Sequence, residues 1–160
     1  MNIEDKMKTL TDALHKRSLR FGVSNVKGGF LISLGFVNLK MAFNRLDMVM
    51  YLDDDALQTF VPLPRMVTGR EGKIFEFFNT INYYLKYGRF EVDPQNGEAR
   101  FHLVESSDVL VLPSCVRKVI ERQVNLPIAM IKYIVPGFLL LLDNESCTAE
   151  MAVRICRECK

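Results

Sequence analysis

The run TGREGKIFEFFNTINYYLKYGRFEVDPQNGEARFHLV, residues 68–104, decides the fold. Thr68-Gly69-Arg70-Glu71 has the pattern of a capping box, a hydroxyl with a carboxylate three residues on, at the start of a helix. Ile74, Phe78, Ile81 and Leu85 then form one apolar stripe, widened by Phe75, Phe77 and Tyr84. Gly88 stands where a left-handed residue would end that helix. Phe90 and Val92 alternate with Glu91 and Asp93, and Pro94-Gln95-Asn96-Gly97 is a turn in which Gly97 takes positive φ. Ala99, Phe101 and Leu103 alternate with Arg100 and His102 on the return. Cap, stripe, turn and strands agree on a helix followed by a β-hairpin.

Working toward the N-terminus, residues 2–17 read as a helix. Ile3, Met7, Leu10 and Leu14 make a single stripe, Lys6, Asp12 and Lys16 fall off it, and Asn2 is the N-cap. Two-residue alternation follows: Leu19 to Val23, a turn at Lys27-Gly28-Gly29, Phe30 to Val37, Leu39 to Phe43, and Leu46 to Leu52. Asp53-Asp54-Asp55 is a turn, and Leu57 to Leu63 returns as a strand that Pro62 and Pro64 restrict to a sheet edge or a strand end. Short strands joined by short turns predict an antiparallel meander.

Toward the C-terminus, Pro113 suits the first position of a helix carrying Val116, Val119 and Ile120. Asn125-Leu126-Pro127 should break it, because a residue before proline avoids the helical region. A second piece from Pro127 to Leu142 would bury Ile128, Ile131, Val135, Phe138 and Leu142. Asn144 or Ser146 would cap a short last helix containing Met151 and Ile155. The expected fold is α+β, an antiparallel sheet with helices packed on it. With no repeat or linker the chain reads as a single domain, 1–160, with a core at about 3–142 and a cysteine-containing extension at 143–160.

The segment Phe75-Glu76-Phe77-Phe78-Asn79-Thr80-Ile81-Asn82, running into Tyr87-Gly88-Arg89-Phe90-Glu91-Val92-Asp93, resembles the core of the YbjN-type family. That family is described as bacterial sensory transduction regulators, related in fold to the chaperones of type III secretion. Its pattern is an apolar-Asn-x-x-Asn helix, Gly-x-Phe, a short acidic strand, a turn, a strand with an aromatic, and an apolar helix. Asn79, Asn82, Gly88, Phe90 and Phe101 occupy those places, over roughly residues 3–142. The tail from Ser146, with three cysteines, departs from the pattern. The resemblance implies an α-β-β-β-α-β-β-α order, dimerisation and no enzymatic activity.

Composition narrows the function classes. Across 160 residues, 49% are hydrophobic and 25% charged, and the net charge of +2 is too small to predict nucleic-acid or acidic-membrane binding. Basic residues in the first 45 are dispersed and read as solvated faces. The N-terminus lacks the apolar core of a signal peptide. The stretch Leu126 to Leu142 is interrupted by Lys132, Pro127, Pro136 and Gly137, short of the ~20 clean apolar residues of a bilayer span. The expectation is a cytoplasmic protein without membrane insertion, its cysteines reduced.

No motif rises to a catalytic signature. Asn79 and Asn82, poor helix formers among apolar neighbours, are expected to hydrogen-bond an adjacent strand or loop. Cys156-Arg157-Glu158-Cys159, with Cys147 upstream, is half of a zinc pattern and supports only an alternative reading as a small metal-binding or redox-responsive module. Asp53-Asp54-Asp55 lacks the spacing of a calcium loop, and Gly28-Gly29 lacks the lysine-serine element of a phosphate loop. Neither His15 nor His102 has a nucleophile beside it, and no cofactor is expected. The leading expectation is therefore a non-catalytic regulatory or chaperone-like domain binding another protein or a second copy of itself. Met41, Met48, Met50 and Met66 are the expected apolar interaction surface.

Overall fold

Asn2 starts the first helix as expected: its Oδ1 accepts from the Asp5 amide at 2.8 Å, and α1 runs Ile3–Lys16. The structure, a computed structural model, describes residues 2–158. After α1 come β1 (Phe21–Val26), β2 (Gly29–Val37), β3 (Arg45–Leu52), β4 (Ala56–Pro62), α2 (Glu71–Tyr84), β5 (Arg89–Val92) and β6 (Ala99–Ser106). A 3₁₀ turn (Ser107–Val111), α3 (Pro113–Asp143) and α4 (Ala149–Glu158) complete the chain. The strands form one antiparallel sheet in the order β1-β2-β3-β4-β6-β5. The class is α+β, with helices packed on the sheet, and four strands precede α2 where the family order has three.

Parity along each strand places the core. Ile32, Leu34, Met48, Met50, Leu57, Val61, Phe101 and Leu103 are buried beneath the helices. Alternate residues such as Leu31, Val49, Tyr51 and Phe60 are half-buried, so no helix covers that side. Pro62 sits at the end of a central strand rather than on an edge. Pairing of β4 with β3 stops at Phe60, so the missing amide at Pro62 breaks no bond on that side. The run 39–43 is a loop, not a strand, because Asn38 and Lys40 take positive φ; only its Phe43 joins the core.

The largest departure lies in α3, which is unbroken across Pro127 and Pro136. Each proline costs about 3 kcal/mol in a helix interior. Along the same helix Val119, Ile120, Val124, Ile131, Ile134, Val135, Phe138 and Leu141 are buried. At roughly 1.5–3 kcal/mol per side chain that face outweighs two prolines, so tertiary burial overrides the local breaker. The last helix is capped two to four residues later than expected: Thr148 Oγ1 accepts from the Met151 amide at 3.2 Å, while Asn144 closes a turn onto Ser146.

Candidate functional site

The capping box at residues 68–71 is reorganised. The helix starts at Glu71, and the Glu71 carboxylate reaches back to the Gly69 amide at 3.0 Å instead of to Thr68. Hydrogen bonds from the Glu71 and Gly69 amides hold its pKa below the usual carboxylate value. Gly88 does not end α2, whose C-cap is Leu85. It takes φ +70° in the turn into β5, where an added Cβ would lie 2.4 Å from the Phe101 ring. Phe90 and Phe101 pack edge to face at 4.9 Å beneath it.

Asn82 joins helix to sheet. Its Oδ1 accepts from the Phe90 amide at 2.7 Å and its Nδ2 donates to the Phe90 carbonyl at 2.8 Å. These are the groups that Phe90 turns away from β6, so Asn82 takes the place of a neighbouring strand. Asn79 is exposed and shares no such role; it lines a small cleft of about 260 Å³ with Phe75 and Val92. Of the expected stripe on α2, Ile74, Phe78 and Ile81 are buried with Phe77, whereas Phe75 and Tyr84 face outward.

The two sheet edges differ. On the β5 edge Asn82 seals Phe90, within a strand of only four residues. On the other side β1 closes a two-residue turn at Lys27-Gly28 with the pair Val26 and Gly29. That closing pair is hydrogen-bonded, so Ser24 and Gly22 also bond to β2 while Phe21, Val23 and Asn25 direct N–H and C=O outward. Residues 22–25 are exposed, and the strand contains neither proline nor charge. It is an unguarded edge.

The expected methionine surface does not form. Met48 and Met50 are fully buried on the helix side of β3, Met41 is half-buried in a loop, and only Met66 is exposed. The uncovered sheet face is instead made by the opposite parity. At its β4–β6 end His102 stacks on Phe60 at 4.3 Å, with Nε2 3.1 Å from Gln58 Oε1. Glu91 lies beside it, accepting from Arg100 at 2.6 Å and Arg89 at 3.0 Å. Burial would raise the Glu91 pKa, but the two arginines and His102 outweigh it and hold the carboxyl below its usual range. Burial lowers the His102 pKa, and the Glu91 charge only partly offsets this. A neutral ring donating from Nε2 to Gln58 and accepting from Arg89 satisfies these contacts.

Lys6, read as solvated, is 4% exposed. Its ammonium donates to the Asp54 carbonyl at 2.7 Å, Ser107 Oγ at 2.9 Å and Asp108 Oδ1 at 2.8 Å, pinning α1 to the β3–β4 turn and the 3₁₀ turn. All three donors are satisfied, and the Lys6 charge depresses the Asp108 pKa. Nothing in the local sequence distinguishes Lys6, since its acceptors lie up to 102 positions away.

Cys147 and Cys156 are buried, with Sγ atoms near the carbonyls of Thr148 and Ile134 at 3.4 and 3.5 Å; Cys159 lies outside the described residues. An added Cβ at Gly137 would meet Cys156 Sγ at 2.7 Å, so this thiol fills the close seam between α3 and α4. Among the described residues no group of three His, Cys, Asp or Glu is placed to hold a metal. Cys147 and Cys156 pack in the interior, and Cys115 is half-buried on α3.

Two surface features remain. A groove of about 800 Å³ runs between α1, the 3₁₀ turn and α3, with Ala13, Leu110, Val116 and Ile120 as floor. Its rim mixes Asp12, Lys16 and Arg17 with the Arg117–Glu121 pair and selects no ligand charge. At the end of α2, Tyr83 and Tyr84 are 83% and 68% exposed, and Tyr87, three residues on, is also exposed. Tyr83 falls off the apolar stripe of α2, a signal that was present in the sequence.

Contrary to the expectation from Pro127 and Pro136, α3 is by length and apolarity able to cross a membrane; in the fold its buried face packs on the sheet and α4. No family model matches the chain, and neither does any curated protein or solved structure.

Proposed function

We propose that the chain is a non-catalytic protein-interaction domain, regulatory or chaperone-like, that takes an extended segment of another polypeptide along the free edge of β1. The observation carrying this reading is the asymmetry of the sheet: the β5 edge is four residues long and Asn82 occupies its Phe90 groups, while β1 offers the outward N–H and C=O groups of Phe21, Val23 and Asn25. Main-chain bonding along a strand supplies affinity with little demand on sequence, as a chaperone-like role requires. The resemblance to the YbjN-type family and the secretion chaperones adds to this reading, as does the interior burial of Cys147 and Cys156, which favours it over a metal or redox module built on them. A cytoplasmic setting goes with it.

The test uses peptides selected from a displayed library on the full chain. Bound peptide should slow hydrogen exchange at Phe21, Val23 and Asn25, and Asn25→Pro, which removes an outward amide without breaking the ladder to β2, should abolish binding. Binders indifferent to Asn25→Pro that leave those amides unprotected would refute strand addition. Light scattering separates a second copy of the chain from a foreign segment as the occupant.

A further inference from the structure

We infer that the tyrosine surface at the C-terminal end of α2 is a second docking site, for an acidic segment of a partner polypeptide. Tyr83 and Tyr84 stand edge to face at 5.1 Å, largely in solvent. Arg157 of α4 lies 5.5 Å over the Tyr84 ring, and Lys86 lies 5.3 Å over Tyr87. Arg122 also covers Tyr87, at 4.7 Å, but its charge is met by Glu105 at 2.9 Å.

Among the described residues neither Arg157 nor Lys86 has a carboxylate within ion-pair distance, although most arginines of the chain have one. A cation resting on an aromatic face is partly ordered and partly desolvated before any partner arrives, which lowers the cost of pairing it. Exposed tyrosines beside arginine have the composition of an interface hot spot, and rigid rings lose little entropy on binding. The complementary surface is a polypeptide segment that sets carboxylates against Arg157 and Lys86 and apolar side chains on the Tyr83–Tyr84 pair. Single-stranded nucleic acid would also stack on tyrosine, but a net charge of +2 offers no continuous basic track for its backbone.

The experiment is fluorescence anisotropy on the full chain with three labelled probes: a peptide alternating Asp and Glu with Phe and Leu, its counterpart with Lys at every acidic position, and oligouridylate. Saturable binding of the acidic peptide is expected, weakening with salt. It should weaken about tenfold in Tyr83→Ser/Tyr84→Ser and in Arg157→Glu, whose side chains are exposed and whose fold circular dichroism will confirm. Lys40→Glu, on the β2–β3 loop, should leave it unchanged as a charge-matched control. Absence of saturable binding, equal binding of the Lys counterpart, preference for oligouridylate, or equal weakening by Lys40→Glu would each overturn the inference. Asn25→Pro should not alter this binding, so failure here and failure at the β1 edge are told apart.

Discussion

Replacing Asn82 with Leu tests how the helix is fastened to the sheet. The side chain is nearly isosteric, so packing around it changes little, but both hydrogen bonds to Phe90 are lost. A typical intramolecular hydrogen bond contributes about 1 kcal/mol net, and an unsatisfied buried group costs about 1–3 kcal/mol. Asn82 is half-buried, so water reaches part of the vacated edge and the lower end of that range applies. The expected loss is roughly 2 kcal/mol. For a chain of this length each kcal/mol moves the melting temperature by about 2–4 °C, giving a drop of about 4–8 °C. Asn79→Leu is the control, since its exposed side chain is not bonded to the sheet; it should change stability by less than about 0.5 kcal/mol. Asn82→Asp should be at least as damaging as Leu, because a carboxylate oxygen would face the Phe90 carbonyl. Thermal unfolding followed by circular dichroism measures all three, and hydrogen exchange at Phe90 reports the edge directly. If Asn82→Leu melts within about one degree of the parent, or if Asn79→Leu costs as much, the strand-mimic argument is wrong.

Lys6→Met should destabilise the fold by about 2–3 kcal/mol, because three charge-assisted bonds vanish while Ser107 still covers the Asp54 carbonyl. Urea unfolding is the measure, and a cost under about 0.5 kcal/mol would show that the ammonium contributes nothing net. Gly88→Ala should cost about 3 kcal/mol or more, since positive φ and contact with the fully buried Phe101 ring act together; an unchanged urea midpoint would contradict this. Stability should also fall on acidification. His102 has a folded pKa below its ordinary 6.5, so the unfolded chain takes up the proton first, and stability present above pH 6.5 is lost as pH falls through the folded value. Glu91, held below 4.5, repeats this at lower pH. His102→Gln should flatten the first step in melting temperature against pH, and an unaltered slope would exclude His102 as its source.

Several features of the fold were legible in the sequence because they are set by neighbours within a few positions. The Asn2 cap, the Asp53 turn whose carboxylate accepts from Asp55 and Ala56, and the Asp93–Glu98 turn all close bonds within five residues. The period-two alternation likewise marked the strands. It could not say which parity faces the helices, and for β3 that single choice moves Met48 and Met50 from a surface into the core. Lys6 and its acceptors are joined only by the fold, so their burial had no local signal. At Pro127 the local preference was read correctly and then overruled, because burial summed along α3 exceeds the penalty of two prolines. The guarded and unguarded edges of the sheet follow from strand order, which depends on pairing β4 with β6 across α2 and β5. The sequence by itself determined the elements and their class, since these rest on short-range bonds and periodicity. Which surfaces stay open to a partner was decided only by the tertiary structure, because exposure depends on what every distant segment covers.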